Sequence, residues 1–153
     1  MRRSVALLAT AALSVTLVGT AAVPAQARSE AGKYAQQAFD ATNANRVHQG
    51  RKALKPNDCL KRAAVRQAKL MAQREELVHQ DVGALLKKCH LNAAGENIAF
   101  GYSSGKSVVN DGWMNSEGHR ANILSPTFRV MGIGARQGHD GQWYVSQVFG
   151  RKA

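Results

Sequence analysis

Acidic residues, aromatics and cysteines are all scarce in this 153-residue chain. Ten Asp and Glu stand against 21 Lys and Arg, aromatics make up 6% of the residues, and there are two cysteines and three prolines. The length suits one globular domain and excludes a large multidomain enzyme. Two cysteines are too few for a disulfide-built miniprotein. No Cys/His grouping has zinc-finger spacing, and no His-Glu-x-x-His helix is present. Aromatics are missing altogether from Asp40 to Ala99, which removes the base-stacking platforms of a single-strand nucleic-acid binder. Disorder is excluded as well, because 44% of the residues are hydrophobic and only 20% are charged.

Long apolar runs are also absent, with one exception at the N-terminus. Arg2 and Arg3 precede an Ala/Leu/Val-rich stretch from Ser4 to Val23, followed by Ala25-Gln26-Ala27, a small-x-small cleavage signature. Residues 1–27 therefore read as a secretory signal peptide, and 28–153 as the mature domain. A membrane anchor is the competing reading; Gly19, Pro24 and the Ala-Gln-Ala ending favour cleavage. Removing 27 residues and two arginines leaves 126 residues at a charge of +9. No transmembrane span is expected after cleavage, so the expected location is extracellular or at the cell surface.

Export gives the two cysteines a simple reading. Cys59 and Cys89 form one structural disulfide closing a 31-residue loop, worth about 3.7 kcal/mol in the chain-entropy model. A free catalytic thiol is the alternative, and it would strand a second thiol in an oxidising milieu.

Apolar periodicity predicts a helix over 32–47, then Lys55-Pro56-Asn57-Asp58 as a turn with an acidic N-cap. A second, amphipathic helix runs over 59–77, with Leu60, Ala64, Ala68 and Met71 on one face. A short helix at 82–88, a strand at 96–100 and a third helix at 106–115 follow. Strand-like runs at 129–136 and 142–149, joined by Gly138-His139-Asp140-Gly141, predict an antiparallel hairpin. Helices first and strands mostly late give an α+β fold.

The positive charge is concentrated. Nine basic residues and one acid, Asp58, fall between Arg46 and Arg74. Export and the absence of any nucleic-acid-binding motif argue against nucleic acid as partner. Anionic cell-envelope polymers and an ordinary solvated helix face are the two readings left.

Gly101-Tyr102-Ser103-Ser104-Gly105 matches the nucleophile-elbow pattern, but the chain is too short for the hydrolase sheet that pattern serves. The expected role is a turn in which Ser104 or Ser107 caps the third helix. Among the histidines, His79 follows the second helix and His119 lies in Glu117-Gly118-His119-Arg120, while Glu96 sits in Gly95-Glu96-Asn97. Spacing alone does not bring these three together.

Gly95-Glu96-Asn97-Ile98-Ala99 is followed by Trp113-x-x-Ser116-x-Gly118-His119-Arg120-x-Asn122-Ile123-Leu124. After these come Met131-Gly132-Ile133-Gly134 and Tyr144-x-x-Gln147-Val148-Phe149. Together with Asn43-x-x-Arg46, this order resembles the bacterial, SCP-like extracellular branch of the CAP superfamily of cysteine-rich secretory, antigen 5 and pathogenesis-related 1 proteins. The resemblance covers about residues 35–150. It implies a three-layer α-β-α sandwich with a central antiparallel sheet and a cleft lined by His79, Glu96, Asn97, Ser116, His119 and Arg120. In that pattern Ser116 and Tyr144 stand where other members carry a second Glu and a second His, and His119 is the substitute. The resemblance also implies a site for zinc or another divalent metal at His79, Glu96 and His119, expected to bind weakly and only when the imidazoles are neutral; the competing reading is a hydrogen-bonded polar cluster that stiffens the cleft, with Arg120 and Asn97 as partners. The expected function is a secreted ligand-binding or interaction module for a small lipid-like or glycan/peptide ligand. A metal-dependent hydrolase of peptide or envelope substrates is the alternative, and no catalytic residue is assigned.

Overall fold

The computed structural model describes residues 25–152, and side chains from Glu30 onward. The proposed signal peptide lies mostly outside the described residues. Among those described, no helix is long and apolar enough to cross a membrane.

Helix α1 (Ala25–His48) leads to a two-residue strand β1 (Lys55–Pro56), helix α2 (Asp58–Arg74), the short helix α3 (Val82–Lys88) and strand β2 (Leu91–Phe100). Helix α4 (Gly105–Ser107) continues without a break as a π-helical turn, Val108–Gly112, and a 3-10 turn, Trp113–Asn115. Helix α5 (Glu117–Leu124) then precedes the hairpin of β3 (Val130–Gln137) and β4 (Trp143–Lys152). The sheet order is β1-β3-β4-β2, with β2 and β3 both antiparallel to β4. The stub β1 runs parallel to β3, so the sheet is antiparallel except at that edge.

Several boundaries differ from those predicted. The N-cap of α2 is Asn57, whose side chain accepts from the Leu60 backbone N–H at 3.0 Å; Asp58 is the first helical residue. Strand β2 starts five residues before the predicted one, because Leu91 to Gly95 pair with the end of β4. Helix α5 was not predicted, since Ser116 to Leu124 lacks an apolar stripe.

The sheet is covered on both faces. On one, Tyr34 and Ala38 of α1, Val108, Val109, Trp113 and Ile123 pack on Met131, Ile133, Val145 and Phe149. On the other, Leu60, Ala63 and Ala64 of α2 meet Leu85, Leu91, Val130 and Val148, and Met71 and Ala72 meet Ile98 and Tyr144. Helix α2 lies against bare strand: a Cβ on Gly132 or Gly134 would come within 2.1 and 2.3 Å of α2 backbone nitrogens. Small residues on both partners thus set the close helix–sheet distance. The Cys59–Cys89 disulfide, with Cα atoms 5.8 Å apart, ties the first turn of α2 to the end of α3.

The Asn43-x-x-Arg46 motif is structural. Asn43 exchanges two hydrogen bonds with the Leu54 backbone, at 2.8 and 3.0 Å. Arg46 is 1% exposed and donates to the carbonyls of Lys52, Ile123 and Ser125. Reading Arg46 as part of a basic surface was therefore wrong: its guanidinium is spent on carbonyls at three chain crossings. Burial, then Arg129 and Arg51 nearby, lower its pKa from the ordinary arginine value.

The serine motif is a turn and cap. Ser104 and Ser107 form a reciprocal capping box at the start of α4. A Cβ on Gly105 would sit 2.0 Å from the Tyr34 carbonyl oxygen, so that glycine lets α4 touch the α1 backbone.

Candidate functional site

Alternation along β2 sends neighbouring motif residues to opposite faces. Glu96 faces α2 with Ile98, and Asn97 faces α1.

Helix α2 ends at Glu75, which takes a left-handed conformation at φ 52°. The chain then folds back toward β2. Gln67, buried on α2, donates its side-chain amide to the Val78 carbonyl. Val78 packs against the cluster of Met71, Ala72, Ile98 and Tyr144. These two contacts fix the loop one residue before His79.

The Glu96 carboxylate then receives four donors. Oε2 accepts from His79 Nδ1 at 2.8 Å and from the Gln80 backbone N–H at 3.2 Å. Oε1 accepts from Gln80 Nε2 at 2.6 Å and from Ser146 Oγ at 2.8 Å. The Glu96 side chain is 1% exposed and that of His79 is 58% exposed. Taking a carboxylate out of water costs several kcal/mol, which donors at all its lone-pair positions can offset. A carboxylate only accepts, so the neutral form of His79 has its proton on Nδ1 and Nε2 as a lone pair on the open side of the ring.

His119 sits at the start of α5 near His79. Burial lowers its pKa below the ordinary histidine value, and proximity to His79 lowers it further, so the neutral ring is favoured. The backbone under it is fixed by Asn97, which donates to the His119 carbonyl at 3.1 Å and to Gln147 Oε1 at 3.0 Å. Asn122 donates to Asn97 Oδ1 at 2.9 Å and to the Glu96 carbonyl at 3.3 Å. Gln147 passes the network on to Thr42 Oγ1 at 2.7 Å. The free edge of β2 is closed in the same way, Trp113 Nε1 donating to the Ile98 carbonyl.

Ser116 and Arg120 make no side-chain hydrogen bond to Glu96 or to either imidazole among the described residues. Ser116 occupies the N-cap position of α5 without a side-chain cap bond. Arg120 is exposed and donates to the Met114 carbonyl at 3.0 Å. One residue along a helix turns the side chain by about 100°, so Arg120 points away from His119's direction. Tyr144 is buried, donates to Asp140 Oδ2 at 2.8 Å and stacks on Phe100. Burial and that hydrogen bond push its pKa up to about 12.

As three direct metal ligands, His79, Glu96 and His119 do not fit. All four acceptor positions of Glu96 are taken by protein donors, which leaves two imidazoles where a catalytic zinc needs three protein ligands. Among the described residues no group of three His, Cys, Asp or Glu side chains could hold a metal ion. An open groove of about 690 Å³ between α1 and α4, lined by Gln37, Asp40, Ala44, His48, Lys106 and Asn110 among others, shares no residue with the His79–Glu96 cluster.

Sequence reasoning missed Gln67, Gln80 and Ser146. Gln80 was legible only as a polar neighbour of His79. Ser146 follows from register, because it stands diagonal to Glu96 on the paired strand.

A three-layer sandwich with an imidazole–carboxylate pair at one sheet edge is the class of domain that these observations define. The chain belongs to the CAP (cysteine-rich secretory protein) family, whose model matches residues 39–149. It is similar to YkwD of Bacillus subtilis strain 168, with 34% identity over 132 residues covering 82% of this chain and 50% of that one. Among solved structures it is similar to an SCP-domain extracellular protein of Bacillus anthracis str. Ames, with a TM-score of 0.73 and 28% identity, covering 88% of this chain and 45% of that one. The fold is shared with an outer surface protein of Borrelia burgdorferi at a TM-score of 0.66 and 20% identity, covering 75% and 90% of the two chains. The chain thus spans about half the length of YkwD and of the B. anthracis protein.

Proposed function

We propose that this chain is an exported CAP-domain binding module that takes a polar glycan or peptide ligand of the cell envelope or extracellular space at the His79–Glu96 pair. One observation carries the reading. A buried carboxylate with every acceptor position filled holds an exposed imidazole in one tautomer and leaves its Nε2 to accept from a ligand N–H or O–H. Export is supported by the leader-like residues 1–27 and by similarity to an extracellular relative.

The test is NMR titration of the histidine ring resonances with muropeptide fragments, and with a fatty acid as the lipid-like comparison. The expected result is movement of the His79 and His119 signals by a muropeptide and at least tenfold weaker binding in His79→Ala. Saturation without any His79 shift contradicts the reading.

The pair also suits acid–base chemistry, since Glu96 would stabilise the imidazolium formed when Nε2 takes a proton. Hydrolase activity is the second reading, supported by muropeptide turnover that His79→Ala abolishes. Divalent-metal binding is restricted here to the two imidazoles, with Glu96 acting only through His79. Calorimetric zinc titration tests it: a smaller heat from His119→Ala than from wild type supports such binding, and equal heats exclude it.

A further inference from the structure

The outward face of α2 has no function in the fold or in the His79–Glu96 site. Lys61, Arg62, Arg66 and Lys69 are all exposed along it, and no acid interrupts them between Asp58 and Glu75. The disulfide at the first turn of α2 brings up the end of α3, where Lys87 and Lys88 are exposed too. None of these six side chains makes an ion pair or a side-chain hydrogen bond among the described residues.

Such a surface works against the helix that bears it. Arg62 and Arg66 are four apart, and Arg66 and Lys69 three apart; like charges at these spacings destabilise a helix. Interleaved glutamates would remove that repulsion without touching the core, and the chain has none there. From Arg62 to Lys69 the rise is about 10 Å, so three cationic groups follow one line along the axis.

We infer that this face docks the protein on a linear, flexible polyanion of phosphodiester-linked units in the cell envelope. The composition of the face argues against stacking and against membrane insertion. Neither α2 nor α3 contains an aromatic residue, so there is no platform on which a base or sugar ring could stack. The apolar side of α2 is buried against the sheet, and Val65, at 48% exposure, is the sole exposed large hydrophobic on the outward face of α2. A helix in a membrane interface needs an apolar face to insert, and α2 has none to offer. What remains is a row of charges, which fits a chain whose handle is its repeating phosphate. The reading does not depend on the His79–Glu96 proposal.

The experiment is binding of the protein to immobilised poly(glycerol phosphate) at 50 and 200 mM NaCl. Four phosphate contacts that release counterions as on a single-stranded polyanion give roughly a 50-fold loss of affinity between the two salts. Lys61→Gln/Arg62→Gln/Arg66→Gln/Lys69→Gln is expected to lose at least tenfold at 50 mM. Gln is a good helix former, and far-UV circular dichroism checks the fold. Two smaller variants, Arg62→Gln/Arg66→Gln and the control Arg151→Gln/Lys152→Gln, remove equal charge at different places; the first is expected to weaken binding and the second to leave it within twofold. His79→Ala is expected to bind the polymer as wild type does. Equal loss in the two paired variants, wild-type binding by the quadruple variant, or salt-independent binding would overturn the proposal. So would binding to phosphatidylglycerol vesicles as tight as to the polymer.

Discussion

Glu96 and Asn97 are neighbours in one motif and have opposite occupations. Asn97 is fully buried toward α1 and spends its side chain on His119's backbone, Gln147 and Asn122. Glu96 faces the other way, and its buried carboxylate reaches the surface through an exposed imidazole. The difference is one step of strand alternation, and it separates a residue that holds the layers together from one that serves a site. A shared motif therefore does not imply a shared role. Arg46, also a motif residue, belongs with Asn97.

On that division, substitutions on the α1 side act on stability and those at Glu96 act on His79. The largest effect is expected for Arg46→Ala, which strands three carbonyl groups and leaves a cavity: a loss of about 4 kcal/mol or more in urea unfolding, with the His79 ring signals of the folded fraction unchanged. Reducing the Cys59–Cys89 bridge is expected to cost about 3–4 kcal/mol, also without effect on the His79–Glu96 contact. Asn97→Ala is next, at about 2–3 kcal/mol, with the His119 signal moving because the backbone under it is released. A shift of His79 as large as that of His119 would break the division.

The smallest effect is a pH dependence. The folded-state pKa of His119 is depressed by burial and by His79. Below the ordinary histidine value of about 6.5 the unfolded state then binds the proton more readily than the folded state. The His119 contribution is therefore fully present above that value and is lost as pH falls through the folded pKa. His79→Ala is expected to raise the His119 pKa in an NMR titration, and an unchanged value would remove His79 as a cause.

Much of the fold was legible because its signals are local. The amphipathic period of α2, the turn between β3 and β4 and the spacing of the ordered motifs are each readable along the chain. Helix α5 was not, because Glu117 to Leu124 buries one side chain fully, Ile123, too little for an apolar stripe. At the site, His79 and Glu96 were found through the resemblance, whereas their contact depends on a left-handed turn at Glu75 and on Gln67 gripping the Val78 carbonyl. Neither has a sequence signature. Four protein donors fill the Glu96 carboxylate, and the sequence holds no record of where Gln80 and Ser146 point.

Glu96 fixes the tautomer of the neutral His79 ring through the Nδ1 contact. Nitrogen-15 chemical shifts of the His79 ring, measured near pH 8 in wild type and in Glu96→Gln, test it most directly. The prediction is a protonated Nδ1 and a bare Nε2 in wild type, with that preference lost in Glu96→Gln. A wild-type ring protonated on Nε2 would contradict the claim.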